Sequence, residues 1–178
     1  DDARGKSFEE LFMGLQTPFA QRGESPRPRE TPEGTVKALY ENAIFFNLRN
    51  SFPSPVIQYL STCFTPGLTQ HLESCREEIE AWLAGNTDKN LKLNLSEGPI
   101  FLSNYEGANE FRVGEAKAEG VRAEVVVSFS YSEGGVTFRW VDVAVLRSVG
   151  GVWLLDDILF GPEIRHGWTL KQRVSIKS

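Results

Sequence analysis

Three long stretches of alternating apolar and polar residues run from Val121 to Phe160, and the rest of the chain is read around them. Val121, Ala123, Val125, Val127, Phe129 and Tyr131 recur with period two, with Arg122, Glu124, Ser128 and Ser130 between them. That alternation predicts a strand with one buried face. Ser132-Glu133-Gly134-Gly135 closes a hairpin. Pairing Tyr131 with Val136 then puts Val136, Phe138, Trp140, Asp142, Ala144 and Leu146 on the same face. A second glycine turn follows at Gly150-Gly151. Pairing Arg147 with Val152 adds Trp153, Leu155, Asp157 and Leu159, so Asp142 and Asp157 are expected opposite each other on the apolar side. The other face carries Val126, Val141, Val143, Val145, Leu154 and Ile158, too apolar for open solvent. An N-terminal segment or a second copy of the chain, as a homodimer through this outer face, is expected to cover it.

Ahead of this meander the apolar spacing changes to that of helices. Ser7-Phe8-Glu9-Glu10 has the capping-box arrangement, and Phe8, Leu11, Phe12 and Leu15 follow at helical spacing, predicting a short helix to about Gln16. Thr17 to Glu30 reads as a linker, so residues 1–30 form an N-terminal helix and tether and residues 31–178 a single domain. Thr31-Pro32, Ser54-Pro55 and Thr65-Pro66 each place a hydroxyl cap before a proline at the first helical position. They predict helices to near Asn50, over Val56–Cys63 and over Leu68–Ala84. Leu91, Leu93 and Leu95 alternate too briefly to classify. Pro99–Ser103 and Glu110–Ala118 read as two further strands, five in all. Residues 168–176 fit either a strand or a capped helix. Helices first and an antiparallel meander afterwards make the fold class α+β.

The chain has 178 residues, 40% of them hydrophobic, enough for one sizeable core. A net charge of -5 and a pI near 5.2 argue against a nucleic-acid partner, which needs a basic stripe to displace counterions. No apolar run reaches the roughly 20 residues that span a bilayer. Cys63 and Cys75 have no partner at metal-ligand or redox spacing, so no metal or cofactor is expected. Two readings stand for them: a disulfide across the helix break at Thr65-Pro66-Gly67, or two small buried apolar residues.

Several strings carry a resemblance. They are Thr31-Pro32-Glu33 through Tyr40, Phe64-Thr65-Pro66 through Leu68, Pro99 through Gly107 with Ser103 and Glu106, Phe111-Arg112-Val113-Gly114, and Gly151-Val152-Trp153 through Asp157-Ile158. With the element order, they resemble the nuclear-transport-factor-two-like superfamily, and more narrowly a family of bacterial exported domains of unknown function. The resemblance spans Thr31 to Phe160. It implies three helices packed on a curved sheet that forms a cone with an internal pocket, and a periplasmic or secreted location. No signal peptide is visible, and a start at Asp1-Asp2-Ala3-Arg4 without methionine fits a mature or trimmed product.

In the superfamily that the chain resembles, isomerases and dehydratases use carboxylates, histidines and tyrosines that project into the cone. By face, this chain offers Asp142, Asp157, His71, Tyr40 and Trp140 as pocket residues. Two carboxyls opposed in apolar surroundings raise the pKa of at least one, as proton transfer near neutrality requires, and Asp142→Asn should then stabilise the fold there. A structural network satisfying the same carboxyls is the competing account. No nucleophile elbow, phosphate loop or zinc motif occurs. The expectation is an exported module that binds a small molecule or a protein without catalysis. The alternative is a small lyase or isomerase built on Asp142 and Asp157.

Overall fold

A computed structural model describes residues 24–45, 55–85, 99–161 and 168–174. The fold is α+β, with an open four-stranded antiparallel sheet and a few helices. Helix α1 is Pro32–Phe45, α2 is Pro55–Leu60 followed by a 3-10 turn at Ser61–Cys63, and α3 is Pro66–Gly85. Strands β1 (Glu110–Glu119), β2 (Arg122–Glu133), β3 (Val136–Val149) and β4 (Val152–Leu159) lie in sequence order, and a short helix α4 (Leu170–Arg173) follows. The expected helix at Phe8–Gln16, the end of α1 beyond Phe45 and the Leu91–Leu95 segment lie outside the described residues.

The helix starts follow the hydroxyl-proline signals. Thr31 Oγ1 accepts the Gly34 amide at 3.2 Å, and Thr65 Oγ1 accepts the Leu68 amide at 3.2 Å, satisfying amides that a first helical turn leaves open. The Thr65 hydroxyl also donates to Asp156 Oδ1 at 2.8 Å, so the same cap ties α3 to β4. Part of the expected linker is docked. The Arg29 amide donates to buried Thr35 Oγ1 at 2.7 Å, and that hydroxyl donates in turn to Trp153 O at 2.8 Å.

Both hairpins are tighter than the alternation alone suggests. Glu133 pairs directly with Val136 and Val149 with Val152. The two turn residues are all glycines with φ between 59° and 84°, a backbone that matches the strand twist and that side chains resist. In the first hairpin the register therefore moves by two residues, to Tyr131 with Phe138 and Phe129 with Trp140. A two-residue shift preserves the faces, so Ala123, Val125, Val127, Phe129 and Tyr131 are buried as expected.

The second hairpin departs further. Leu146 pairs with Leu155 but Val145 pairs with Asp157, leaving Asp156 as one extra residue in β4. This bulge reverses the phase of everything after it. Ile158 and Phe160 turn inward, and Asp157 moves to the outer face. The expected opposition of Asp142 and Asp157 is thus wrong, because a two-residue turn and a bulge replace the register it assumed. Ile158 likewise leaves the outer strip for the core.

Pro99–Ser103 is not a strand. It is a run of turns that is nonetheless buried throughout, so among the described residues the sheet has four strands rather than five. The edge of β4 is covered by isolated bridges from Arg29, Phe64 and Thr169. At the opposite edge, the Ala116 amide beside a bulge in β1 is taken by Glu33 Oε1 at 2.8 Å. A bulge and a capped amide both discourage further pairing at an edge strand.

Candidate functional site

The inner face of β2 and β3 brings together most of the residues singled out by sequence. Phe129 stacks on Trp140 with ring centroids 5.5 Å apart, and Tyr40 from α1 meets Phe129 edge-on at 5.0 Å. Phe111 lies 6.0 Å from Tyr40. Such offset and edge-to-face contacts favour a fixed aromatic layer. The Tyr40 hydroxyl donates to Phe101 O at 3.3 Å. Burial, then the nearby Asp142 charge, holds this phenol well above its ordinary pKa, which makes it a poor proton donor at neutral pH.

Asp142 is fully buried one row further along this face. Its Oδ1 accepts the Ser103 hydroxyl at 2.6 Å and the Gly161 amide at 2.9 Å, while Oδ2 accepts the Ser103 amide at 3.0 Å. Burial pushes the carboxyl up, and the bonds from Ser103 and Gly161 pull it back only in part. The Trp140 indole adds a weak pull in the same direction. That N–H nevertheless has no hydrogen-bond partner of proper geometry among the described residues, although Trp140 is only 5% exposed.

The same buried run is held from its other side. Arg173, at the end of α4, is buried and donates through Nη1 to Pro99 O at 2.7 Å, Leu102 O at 2.5 Å and, more weakly, Ile100 O at 3.4 Å. Its guanidinium also lies over the Phe160 ring, 5.3 Å from the centroid. Arg173 takes the Pro99, Ile100 and Leu102 carbonyls of this run, Tyr40 that of Phe101, and Asp142 the Ser103 amide. A charged group at each end answers the demand that buried peptide groups be bonded.

Gly161 approaches the sheet so closely that an added Cβ would sit 2.4 Å from Val141 O. A backbone oxygen in β3 cannot step aside. Gly161→Ala is expected to destabilise the protein by about 2 kcal/mol or more, read as a shift of the urea midpoint without a change in slope.

The remaining sequence candidates lie elsewhere. Asp157, on the outer face, accepts the Ile158 amide at 2.9 Å and the Lys171 amide at 3.2 Å. His71 is on α3, where Nε2 lies 2.9 Å from Lys171 O and 3.7 Å from Cys75 Sγ. A carbonyl only accepts, so Nε2 carries the proton in that bond and is not free to take one from Cys75. Cys63 and Cys75 are separate free thiols, both buried. Burial pushes the Cys63 thiol up to about 11, and burial followed by the Glu78 charge raises Cys75. Thiols held protonated in this way are poor nucleophiles.

Among the described residues, no three His, Cys, Asp or Glu side chains converge as a metal site would require, and no helix is long and apolar enough to cross a membrane. The structure thus joins Tyr40, Trp140 and Asp142 and leaves His71 and Asp157 outside that group. Ser103, Gly161 and Arg173 are partners that the alternation does not single out as site residues. Only Ser103 stands within one of the strings that carry the resemblance, and nothing around Arg173 distinguishes it in sequence from a solvent-facing arginine.

Comparison with protein-family models and with curated proteins gives no match. Among solved structures, the solution structure of a SEC-C motif containing protein from Rhodopseudomonas palustris is similar with a TM-score of 0.41 and 13% identity, over 88% of this chain and 93% of that one.

Proposed function

We propose that this protein is an exported, non-catalytic binding module that takes an apolar ligand or partner segment at the hairpin end of the inner sheet face. The observation that carries this reading is Phe138. It lies on the face that elsewhere forms the core, yet it is 59% exposed, with Val136 exposed beside it at the hairpin end. Large apolar side chains left open beside a buried aromatic layer mark a surface prepared for contact. In this reading the sheet curls into the cone that the sequence resemblance implies, with this end as its mouth. Placement outside the cytoplasm is part of the proposal and rests on that resemblance.

The lyase or isomerase alternative is less well supported. Asp142 and Asp157 are on opposite faces, and the oxygens of Asp142 are occupied by Ser103 and Gly161. Binding of 8-anilinonaphthalene-1-sulfonate, followed by its fluorescence, tests the reading. Phe138→Ser should weaken the dye at least about fivefold, whereas Val141→Ser on the outer face should leave it unchanged. Equal affinity in the wild type and Phe138→Ser removes the proposal.

A further inference from the structure

The first half of β3 has a strand on one side only. β4 pairs with β3 from Val143 opposite Leu159 to Val149 opposite Val152, so Val136–Asp142 lie past the end of β4. Among the described residues, no bridge reaches them on that side. Which peptide groups face the open side follows from the ladder. Ser130 O accepts the Asn109 amide at 2.8 Å and the Ser132 amide donates to Asn109 Oδ1, so both serines turn their peptide groups away from β3. Opposite them stand Arg139 and Thr137, which in an antiparallel pair turn theirs the other way, to the open edge. The Ser148 amide, bonded to Val121 O on the β2 side, fixes the same phase from the far end of β3.

This edge lacks the protection of the others. The β2–β3 register runs without a bulge and β3 contains no proline, whereas β1 is bulged and β4 is bridged. Val136, Thr137, Phe138 and Arg139 are all exposed.

We propose that this edge takes an extended peptide segment, alternating apolar and acidic residues, as a fifth antiparallel strand; the inference deepens the reading of Phe138 above and rests on it. The open N–H and C=O groups of Thr137 and Arg139 match a backbone that is itself extended. Phe138 lies between them on the inner face, so the residue opposite it is apolar. Arg139 lies on the outer face and ends the row Glu110–Ser130–Arg139. An acidic residue opposite it exchanges both backbone bonds and pairs with the guanidinium. The open run is bounded by the Gly134-Gly135 turn and by Gly161, which lies against Val141 O. It is therefore about 17 Å long, the length of a strand of about five residues. A stable dimer needs about 800 Å² from each partner, more than one strand edge of that length supplies.

Fluorescence anisotropy of a short fluorescein-tagged peptide alternating valine with glutamate tests the contact on the whole chain. The wild type should bind it. N-methylation of the glutamate amides should weaken binding at least about tenfold, because those amides donate to Thr137 O and Arg139 O. Thr137→Pro, which deletes an open N–H at a position where an edge strand tolerates proline, should weaken the unmodified peptide to a similar degree, and so should Arg139→Glu. Thr137→Pro should leave 8-anilinonaphthalene-1-sulfonate binding unchanged, which separates the edge from the apolar surface. A wild type that binds the dye but not the peptide overturns the strand addition and leaves the reading of Phe138 standing. Equal dye affinity in Phe138→Ser removes that reading and this one with it. Peptide binding that survives N-methylation also overturns the proposal, as does a wild-type dimer that Thr137→Pro dissociates, which would assign the edge to a second copy.

Discussion

Asp142→Asn is expected to destabilise the protein by about 2 kcal/mol at neutral pH, and Asp142→Ala by more than about 3 kcal/mol. The reason lies in what the carboxylate faces. All three of its bonds come from donors, two to one oxygen and one to the other. An asparagine has one acceptor oxygen and one amide that donates. Whichever way it is turned, its NH2 meets either the Ser103 amide or the Gly161 amide, and one buried donor loses its acceptor. Alanine abandons all of them. The alternation pattern predicts that Asp142→Asn relieves repulsion from Asp157, but the observed register places no second carboxyl there. Urea unfolding of the three proteins decides the sign.

The pH dependence runs in a direction that the substitution alone does not reveal. Asp142 is raised in the folded state, chiefly by burial. A raised carboxyl contributes its full stability below the unfolded value of about 3.9, and the contribution is lost as pH rises through the folded value. The stability gap between wild type and Asp142→Asn should therefore widen as pH is lowered from neutrality: asparagine does not titrate, and the hydroxyl oxygen of a protonated carboxyl, unlike an amide nitrogen, can still accept from the donors it faces. A gap that narrows would mean the carboxylate, not the acid, is the favoured form. Asp156 shows the opposite case. Burial raises it, but the Thr65 hydroxyl, Lys171 and Arg147 together hold it below its ordinary value, so its contribution fades as pH falls through that lowered value.

Arg173→Met should cost about 3 to 5 kcal/mol, among the largest effects of any single change in the chain. Methionine fills much of the volume and offers no donor, so Pro99 O and Leu102 O lose the bonds that Nη1 makes. Lysine keeps the charge but concentrates it at one atom, and Arg173→Lys should recover only part of the loss. Chemical denaturation measures both. If Arg173→Met unfolds at the wild-type midpoint, the guanidinium does not hold residues 99–103 in place.

The legible parts of the fold are those written in local pattern. Period-two alternation from Ala123 to Tyr131 survives a two-residue change of register, so the buried face of β2 is readable even with the turn taken as too long, although Val121, expected on that face, is exposed in the turn before it. Thr31 and Thr65 announce their helices because a hydroxyl before proline has a direct capping role. The bulge in β4 is not readable. Leu154-Leu155-Asp156-Asp157-Ile158 offers two apolar and two acidic neighbours in a row, so either phase satisfies alternation. Pro99–Ser103 imitates a strand because it is buried, but the partners of its peptide groups include an aspartate from β3, an arginine from α4 and the Tyr40 hydroxyl from α1. Long-range charge contacts leave no mark on the spacing of apolar residues. For the same reason Tyr40, Trp140 and Asp142 are recognisable by face, while the partners Gly161 and Arg173 are not.

The three bridges along β4 carry a consequence for the order of assembly. Arg29, Phe64 and Thr169 reach that one strand from widely separated parts of the chain, and the Thr35 to Trp153 bond alone spans 118 positions. During synthesis the first helices emerge with nothing to hold, since the strand that binds them is made much later. The β1 to β3 meander closes locally through two-residue turns, but the Leu159 end of the β4 edge stays open until Thr169 has been made. The nascent protein thus remains an unsealed sheet until then, and residues 169–173 act as its closing stitch.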